Sequence, residues 1–195
     1  MAALVSLNTY KAIKGISSTT NDFALTTFVD SASQMVKTYC NNSFTDFFAS
    51  DKTETFSINW DQRFVQLTES PVNSITSVKE RDSISESYVT LTTAQYFLET
   101  STDTVYRVTD GANTYKSFPT GPGAVQVQYK AGYETVPEDL KLAVVDLITY
   151  YFRDESKARQ TIAGASRQNA ASTTQRDNVG FPDHIKRVLD MYKTY

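Results

Sequence analysis

The sequence predicts an α+β fold: a helical core of N-terminal helices, a long central helix and a C-terminal helix, with an inserted antiparallel β module. Three observations carry this. Between Ala124 and Glu155 the hydrophobic rhythm changes from strand alternation to a helical repeat. Short β segments punctuated by turn residues fill roughly Thr53 to Tyr133. Amphipathic helical patterns flank that stretch on both sides.

The chain divides into residues 1–52 (N-terminal helical part), 53–133 (β-rich module), 134–156 (long core helix) and 157–195 (extended arm and C-terminal helix). Leu7 to Lys14 predicts a short helix, with Ser6 or Asn8 as cap and Gly15 as stop. A longer helix starts near Asp22, where Phe28, Ala32, Met35, Val36 and Tyr39 share one face, and ends near Asn41-Asn42. Phe56–Ile58, Phe64–Leu67, Ile75–Val78, Tyr88–Leu91, Tyr96–Leu98 and Val105–Val108 read as short strands. Asp110-Gly111 predicts a tight hairpin onto Asn113–Phe118, because a type I′ turn needs positive φ. Gly121-Pro122-Gly123 is expected to close this region ahead of the alternating strand Ala124–Lys130. Ala131-Gly132-Tyr133 ends that strand, and Pro137 opens a helix with Glu138 and Asp139 in its first turn, where acids complement the helix dipole. Leu140, Ala143, Val144, Leu147, Ile148 and Tyr151 form its apolar stripe. Ser156 to Arg176 has four basic residues, no acid and few apolar ones, and is expected as a long loop that orders against a partner. Pro182 opens the last helix, with Ile185, Val188, Leu189 and Tyr192 on one face.

With 195 residues the chain can bury a substantial core. A net charge of −3 argues against tight binding to many nucleic-acid phosphates. The single Cys40 forms no intramolecular disulfide, and Met1-Ala2-Ala3-Leu4-Val5 lacks the basic flank of a signal peptide. No apolar run has membrane-spanning length. A soluble, cytoplasmically made protein is expected, so the sequon Asn41-Asn42-Ser43 is read as unmodified.

Reactive chemistry is sparse. His184 is the only histidine and reads as a surface or interface residue; Cys40 reads as a small buried one. There is no GxxxxGK[ST], GxGxxG or HExxH pattern. The acid pairs Glu138-Asp139 and Asp154-Glu155 are explained by helix ends, and Tyr150-Tyr151-Phe152 by core packing. No catalytic residue, cofactor or metal ligand is assigned. The basic stretch Lys157–Arg176 reads first as an arm docking on an acidic protein surface, then as a solvated loop, with nucleic-acid binding third.

Val125–Tyr133 followed by Val136-Pro137-Glu138-Asp139-Leu140-Lys141-Leu142-Ala143 resembles the tailed-bacteriophage head–tail connector (head-completion adaptor) family, in which a strand ends in Ala-Gly-Tyr and Pro-x-x-Leu-x-x-Ala starts a long helix. The early helix, the proline-led Pro71–Val78 and the closing Phe181-Pro182-x-x-Ile185-x-x-Val188-Leu189-x-x-Tyr192 agree with it in order. The β stretch Thr53–Ser117 is larger than in small members. The resemblance implies a structural virion protein without catalytic residues, a ring of usually twelve subunits beneath the portal, extending the DNA channel toward the tail. Its partners would be the portal, a downstream neck or tail protein, and genomic DNA passing through without sequence-specific binding; no membrane is involved. The C-terminal arm would order on the portal, which points to Lys157, Arg159, Arg167, Arg176, Ile185, Leu189 and Tyr192 as contacts. The competing expectations are a tail-completion or tail-terminator ring, a Tyr-rich β module recognising a glycan or receptor, and a hydrolase with a carboxylate pair formed only in three dimensions.

Overall fold

The computed structural model describes residues 2–111, 114–153, 159–162, 165–168 and 181–194. The fold is α+β, with two compact units. One is helical and comprises Met1–Asn41 and Val136–Lys193; the other is built on Asn42–Thr135.

In the helical unit, α1 (Leu7–Lys14) starts where the Ser6 side chain accepts from Thr9 N–H at 3.1 Å, and stops at Gly15 with φ 65°. Helix α2 (Asp22–Cys40) ends in a left-handed Asn41. Its buried stripe is Leu25, Val29, Ala32, Val36 and Cys40, rotated slightly from the expected one. Phe28, Met35 and Tyr39 lie half-buried at its margin, where Phe28 meets Phe152 edge-on at 5.9 Å and Tyr39 meets Phe181 at 5.2 Å. Compact aliphatics fill the interior, while large rings bridge to neighbouring segments with their edges. Helix α3 (Glu138–Phe152) follows Pro137 and buries Leu140, Ala143, Val144, Val145, Leu147 and Ile148. Helix α4 (Asp183–Asp190) follows Pro182 and buries Ile185 and Leu189. Helix α2 packs against the other three, and α3 against α4. Each fully buried aliphatic side chain contributes about 1.5–3 kcal/mol, so these contacts hold the unit together. Within the stretch expected as a loop, β8 (Arg159–Ile162) and β9 (Ala165–Gln168) pair antiparallel, Ile162 opposite Ala165. Main-chain hydrogen bonds can build a hairpin there where apolar content is too low for a core.

In the other unit the strands are β1 (Lys52–Ile58), β2 (Phe64–Gln66), β3 (Val72–Glu80), β4 (Val89–Thr90), β5 (Tyr96–Glu99), β6 (Thr104–Arg107) and β7 (Gly121–Ala131). They form two antiparallel sheets, β1-β7-β3-β4 and β2-β6-β5. Their inward faces share one apolar cluster that includes Ile58, Val65, Val78, Val105, Phe118, Val125, Val127 and Tyr129. Two expectations change. Gly121-Pro122-Gly123 lies inside β7, because Gly121 pairs with Ile58 across an irregularity whose extra residues lie in β7, and Pro122 sits near the strand's start. The strand expected at Asn113–Phe118 contracts to one bridge, Val108 with Tyr115, extended by Lys116 N–H donating to Arg107 O at 2.9 Å. Residues 42–52 also belong with the β unit rather than the helices: Ala131 N–H donates to Phe47 O at 3.1 Å and Tyr133 N–H to Phe44 O at 2.6 Å.

The Ala131-Gly132-Tyr133 turn has a specific steric cause. Gly132 has φ 97°, and a Cβ there would lie 2.1 Å from the Phe44 carbonyl oxygen. Only glycine permits both the dihedral and the approach.

Candidate interaction surfaces

The sheet β2-β6-β5 presents aromatic side chains outward. Register sets Phe64, Tyr106 and Phe97 side by side across the three strands. The inward row beside it is Val65, Val105 and Leu98, all in or against the core. Phe64 and Tyr106 rings are 5.7 Å apart, and Tyr115 adds a third ring 5.4 Å from Tyr106. Trp60 stands just ahead of β2. Exposure is 71% for Trp60, 45% for Phe64, 53% for Phe97 and 58% for Tyr115. Trp60, Phe64, Tyr106 and Tyr115, with Asp61, Gln62 and Arg63, line a groove of about 440 Å³.

Behind this row lies Arg107 of β6, almost fully buried. Its Nε and Nη2 donate to the Glu80 carboxylate of β3 at 3.0 Å each, and Nη1 donates to Gln95 O at 2.9 Å and Val108 O at 2.7 Å. The fork-on-carboxylate geometry ties one sheet to the other and fixes β6. At the far end of β1 and β7, the Glu69 carboxylate accepts from Ser43 N–H and Oγ at 2.9 Å and from Lys52 Nζ at 3.1 Å. Burial, reinforced by the Glu54 carboxylate, raises the Tyr129 phenol well above its ordinary value.

The outer face of β1-β7-β3 is different. Thr53, Thr55 and Ser57 of β1 lie beside Gln126, Gln128 and Lys130 of β7, then Ser77 and Lys79 of β3. Thr55 pairs with Gln126, and Gln126 with Lys79. These residues carry hydroxyls, amides and amines.

The residues expected to contact a partner separate into three groups. Ile185 and Leu189 are closed off in the helical unit, so neither offers surface to a partner; they are core residues, because the apolar face of α4 is what holds that helix on α2 and α3. Tyr192 is half-buried and its hydroxyl donates to Asp139 Oδ1 at 2.7 Å. Arg159 and Arg167 fall on β8 and β9, opposite Gln168 and Gln160. Lys157 and Arg176 lie outside the described residues, as do Asp154 and Glu155. His184 is exposed in the first turn of α4. Cys40 is buried and donates to Leu189 O at 3.5 Å; burial first, then the Asp190 carboxylate, push its thiol up to about 12, which keeps it protonated and inert. Among the described residues, no group of three or more His, Cys, Asp or Glu side chains is placed to hold a metal ion. The aromatic face was not singled out from sequence. Its signal is adjacency: Phe64-Val65, Phe97-Leu98 and Val105-Tyr106 put large apolar residues on both parities of short strands, the pattern of a strand apolar on both faces.

Fold and surfaces together define an α+β protein with an exposed aromatic face. The head completion protein family matches the chain over residues 3–195, and the chain belongs to that family. The head completion protein of Escherichia phage T5 is 29% identical over 72 residues, which is 36% of this chain and 39% of the relative. The match thus spans about two-fifths of that relative's length. Among solved structures, a chain from the neck of an empty gene transfer agent particle, computed with C6 symmetry, aligns with TM-score 0.64 at 13% identity, covering 100% of this chain and 93% of that one. A chain from the native particle's neck, computed with C12 symmetry, aligns with TM-score 0.57 at 14% identity over the same shares. A chain of the native virion gives 0.60 at 16%, again over the same shares. At these identities the likeness is one of fold.

Proposed function

We propose that this protein is a structural component of a tailed-phage virion that joins head to tail, as a ring beneath the portal that extends the DNA channel. The observation that carries this reading is the family match over nearly the whole chain. The full-length fold likeness to neck chains from particles treated with sixfold and twelvefold symmetry supports a ring, with twelve copies as the preferred count. A ring of identical subunits needs two different complementary faces on each copy, closed by rotation. The portal is the partner on the head side and a neck or tail protein the partner on the other. DNA passes through the lumen without sequence-specific contact, which a chain of net charge −3 favours, since tight phosphate binding would retard passage. The role is non-enzymatic. No described helix is long and apolar enough to cross a membrane.

The basic stretch docks on the portal through Lys157, Arg159, Arg167 and Arg176, with Tyr192 nearby in sequence. Because α4 supplies core residues, the arm is tested by charge reversal and not by deletion. Infection with particles carrying Lys157→Glu, Arg159→Glu, Arg167→Glu and Arg176→Glu should yield filled heads lacking tails. Normal tailed particles with that variant would remove the arm from portal docking. Absence of the protein from the portal vertex in electron micrographs of wild-type particles would end the connector reading itself.

A further inference from the structure

The β unit also exposes two aliphatic side chains on one short segment, chemically unlike its aromatic face. Between β3 and β4 the chain exposes Ile84, and β4 exposes Val89, each at 65%. Asp82 and Glu86 stand exposed on either side of Ile84. Arg81 is turned back on this segment: its Nη1 donates to Ile84 O at 3.2 Å and its guanidinium lies 4.5 Å from the Tyr88 ring. The segment is thus a braced aliphatic knob with acidic flanks. The aromatic row has the opposite character: flat rings, with Arg63 and Lys116 both exposed at its margin.

We propose that the two patches are the halves of one contact between copies of this chain, with the Ile84–Val89 segment of one copy seated on the aromatic row of the next. This rests on the ring reading above and names the faces that close the ring. Three arguments favour a second copy. One subunit carries both an aliphatic knob and an aromatic groove, which is what a heterologous contact requires. The flanking charges are complementary, Asp82 and Glu86 against Lys116 and Arg63, the latter held only by an exposed 3.8 Å pair with Asp61, and this favours one orientation. Trp, Tyr and Arg around a groove make the composition of a protein-binding hot spot. A glycan fits less well, because two of the groove's hydrogen-bonding side chains are engaged within the chain. Asp61 accepts from Ser117, and Gln62 Nε2 donates to Phe64 O at 2.8 Å. What remains for an occupant is mainly ring surface.

The test uses the full chain in three forms: wild type, a Trp60→Ser/Phe97→Ser variant, and an Ile84→Asp/Val89→Asp variant. All four altered side chains are exposed, so circular dichroism and melting temperature should match wild type in each. Sedimentation should show a ring for wild type and monomer for each variant. A one-to-one mixture of the two variants should give a heterodimer, since one intact knob and one intact groove remain. A variant that still forms the wild-type ring overturns this inference and leaves the ring reading standing. Where wild type closes its ring only on particles, p-benzoylphenylalanine at position 97 is photolysed in assembling particles. A product at twice the 21.8 kDa subunit mass, joined to a peptide spanning residues 81–90, is expected. Cross-linking to another protein, or no product, overturns the inference; a single copy per particle overturns the ring reading.

Discussion

The two sheets of the β unit share one core and differ on their outer faces. Across β1, β7 and β3 the outward row is Thr55, Gln126 and Lys79; across β2, β6 and β5 it is Phe64, Tyr106 and Phe97. Both sheets alternate with the same period, and both inner faces contribute to the shared apolar cluster, crossed by the Arg107–Glu80 pair. The difference therefore has no bearing on how the strands fold onto each other. It lies in what each outer face can do: a hydroxyl and amide surface is content in water, whereas an exposed aromatic row gains by being covered. Folding needs one face of each sheet, and the other face is free to be used for assembly.

That contrast can be broken from the inside or sharpened from the outside. The largest effect is expected where the sheets are tied together. Arg107→Met leaves the half-buried Glu80 carboxylate and the Gln95 and Val108 carbonyls without their donor and should cost about 3–5 kcal/mol, read as a shift in urea midpoint. An Arg107→Met/Glu80→Leu double variant should recover most of that loss. Next comes Gly132→Ala, which forces a Cβ against the Phe44 carbonyl at a positive φ and should cost about 2–4 kcal/mol in the same measurement. Wild-type stability in that variant would show that the turn relaxes freely.

A third test is pH. The unfolded Tyr129 phenol ionises near 10, whereas the folded one holds its proton to higher pH, so folded chains bind the extra proton in between. Stability is full below pH 10 and should fall as pH climbs above it. Tyr129→Phe should flatten that alkaline limb; an unchanged slope would assign it to other groups. Smaller still in stability is Phe64→Ser on the aromatic face, under about 1 kcal/mol for a half-exposed ring, though assembly should be lost. Thr55→Ala on the polar face should stay within about 0.5 kcal/mol and leave assembly intact. If these two variants assembled equally well, the contrast between the faces would have no functional content.

Much of the fold was legible in the letters, for local reasons. The first helix starts at Ser6 and stops at Gly15 because a hydroxyl cap and a left-handed glycine act within a turn of the residues they cap. Pro137 and Pro182 mark the starts of α3 and α4 for the same kind of reason. The α+β organisation followed from changes of period, which are also local. What went astray depended on distant partners. The stripe on α2 turned because Phe152 and Phe181, far along the chain, meet Phe28 and Tyr39 edge-on. Gly121-Pro122-Gly123 became strand because Ile58 pairs with Gly121. Ile185 and Leu189 were expected at an interface, but an apolar helix stripe looks the same whether it faces a neighbour or its own core.

The sequence alone determined where the helices and most of the strands run, that reactive chemistry is sparse, and which family's motifs stand in order; each is written in short-range spacing, capping and composition. The tertiary structure decided that Gly132 must be glycine, since the Phe44 carbonyl that demands it is 88 residues away. It also decided which aromatics are left outside. Strand register, set by pairing between distant segments, aligns Phe64, Tyr106 and Phe97 into one row, and no local window contains all three.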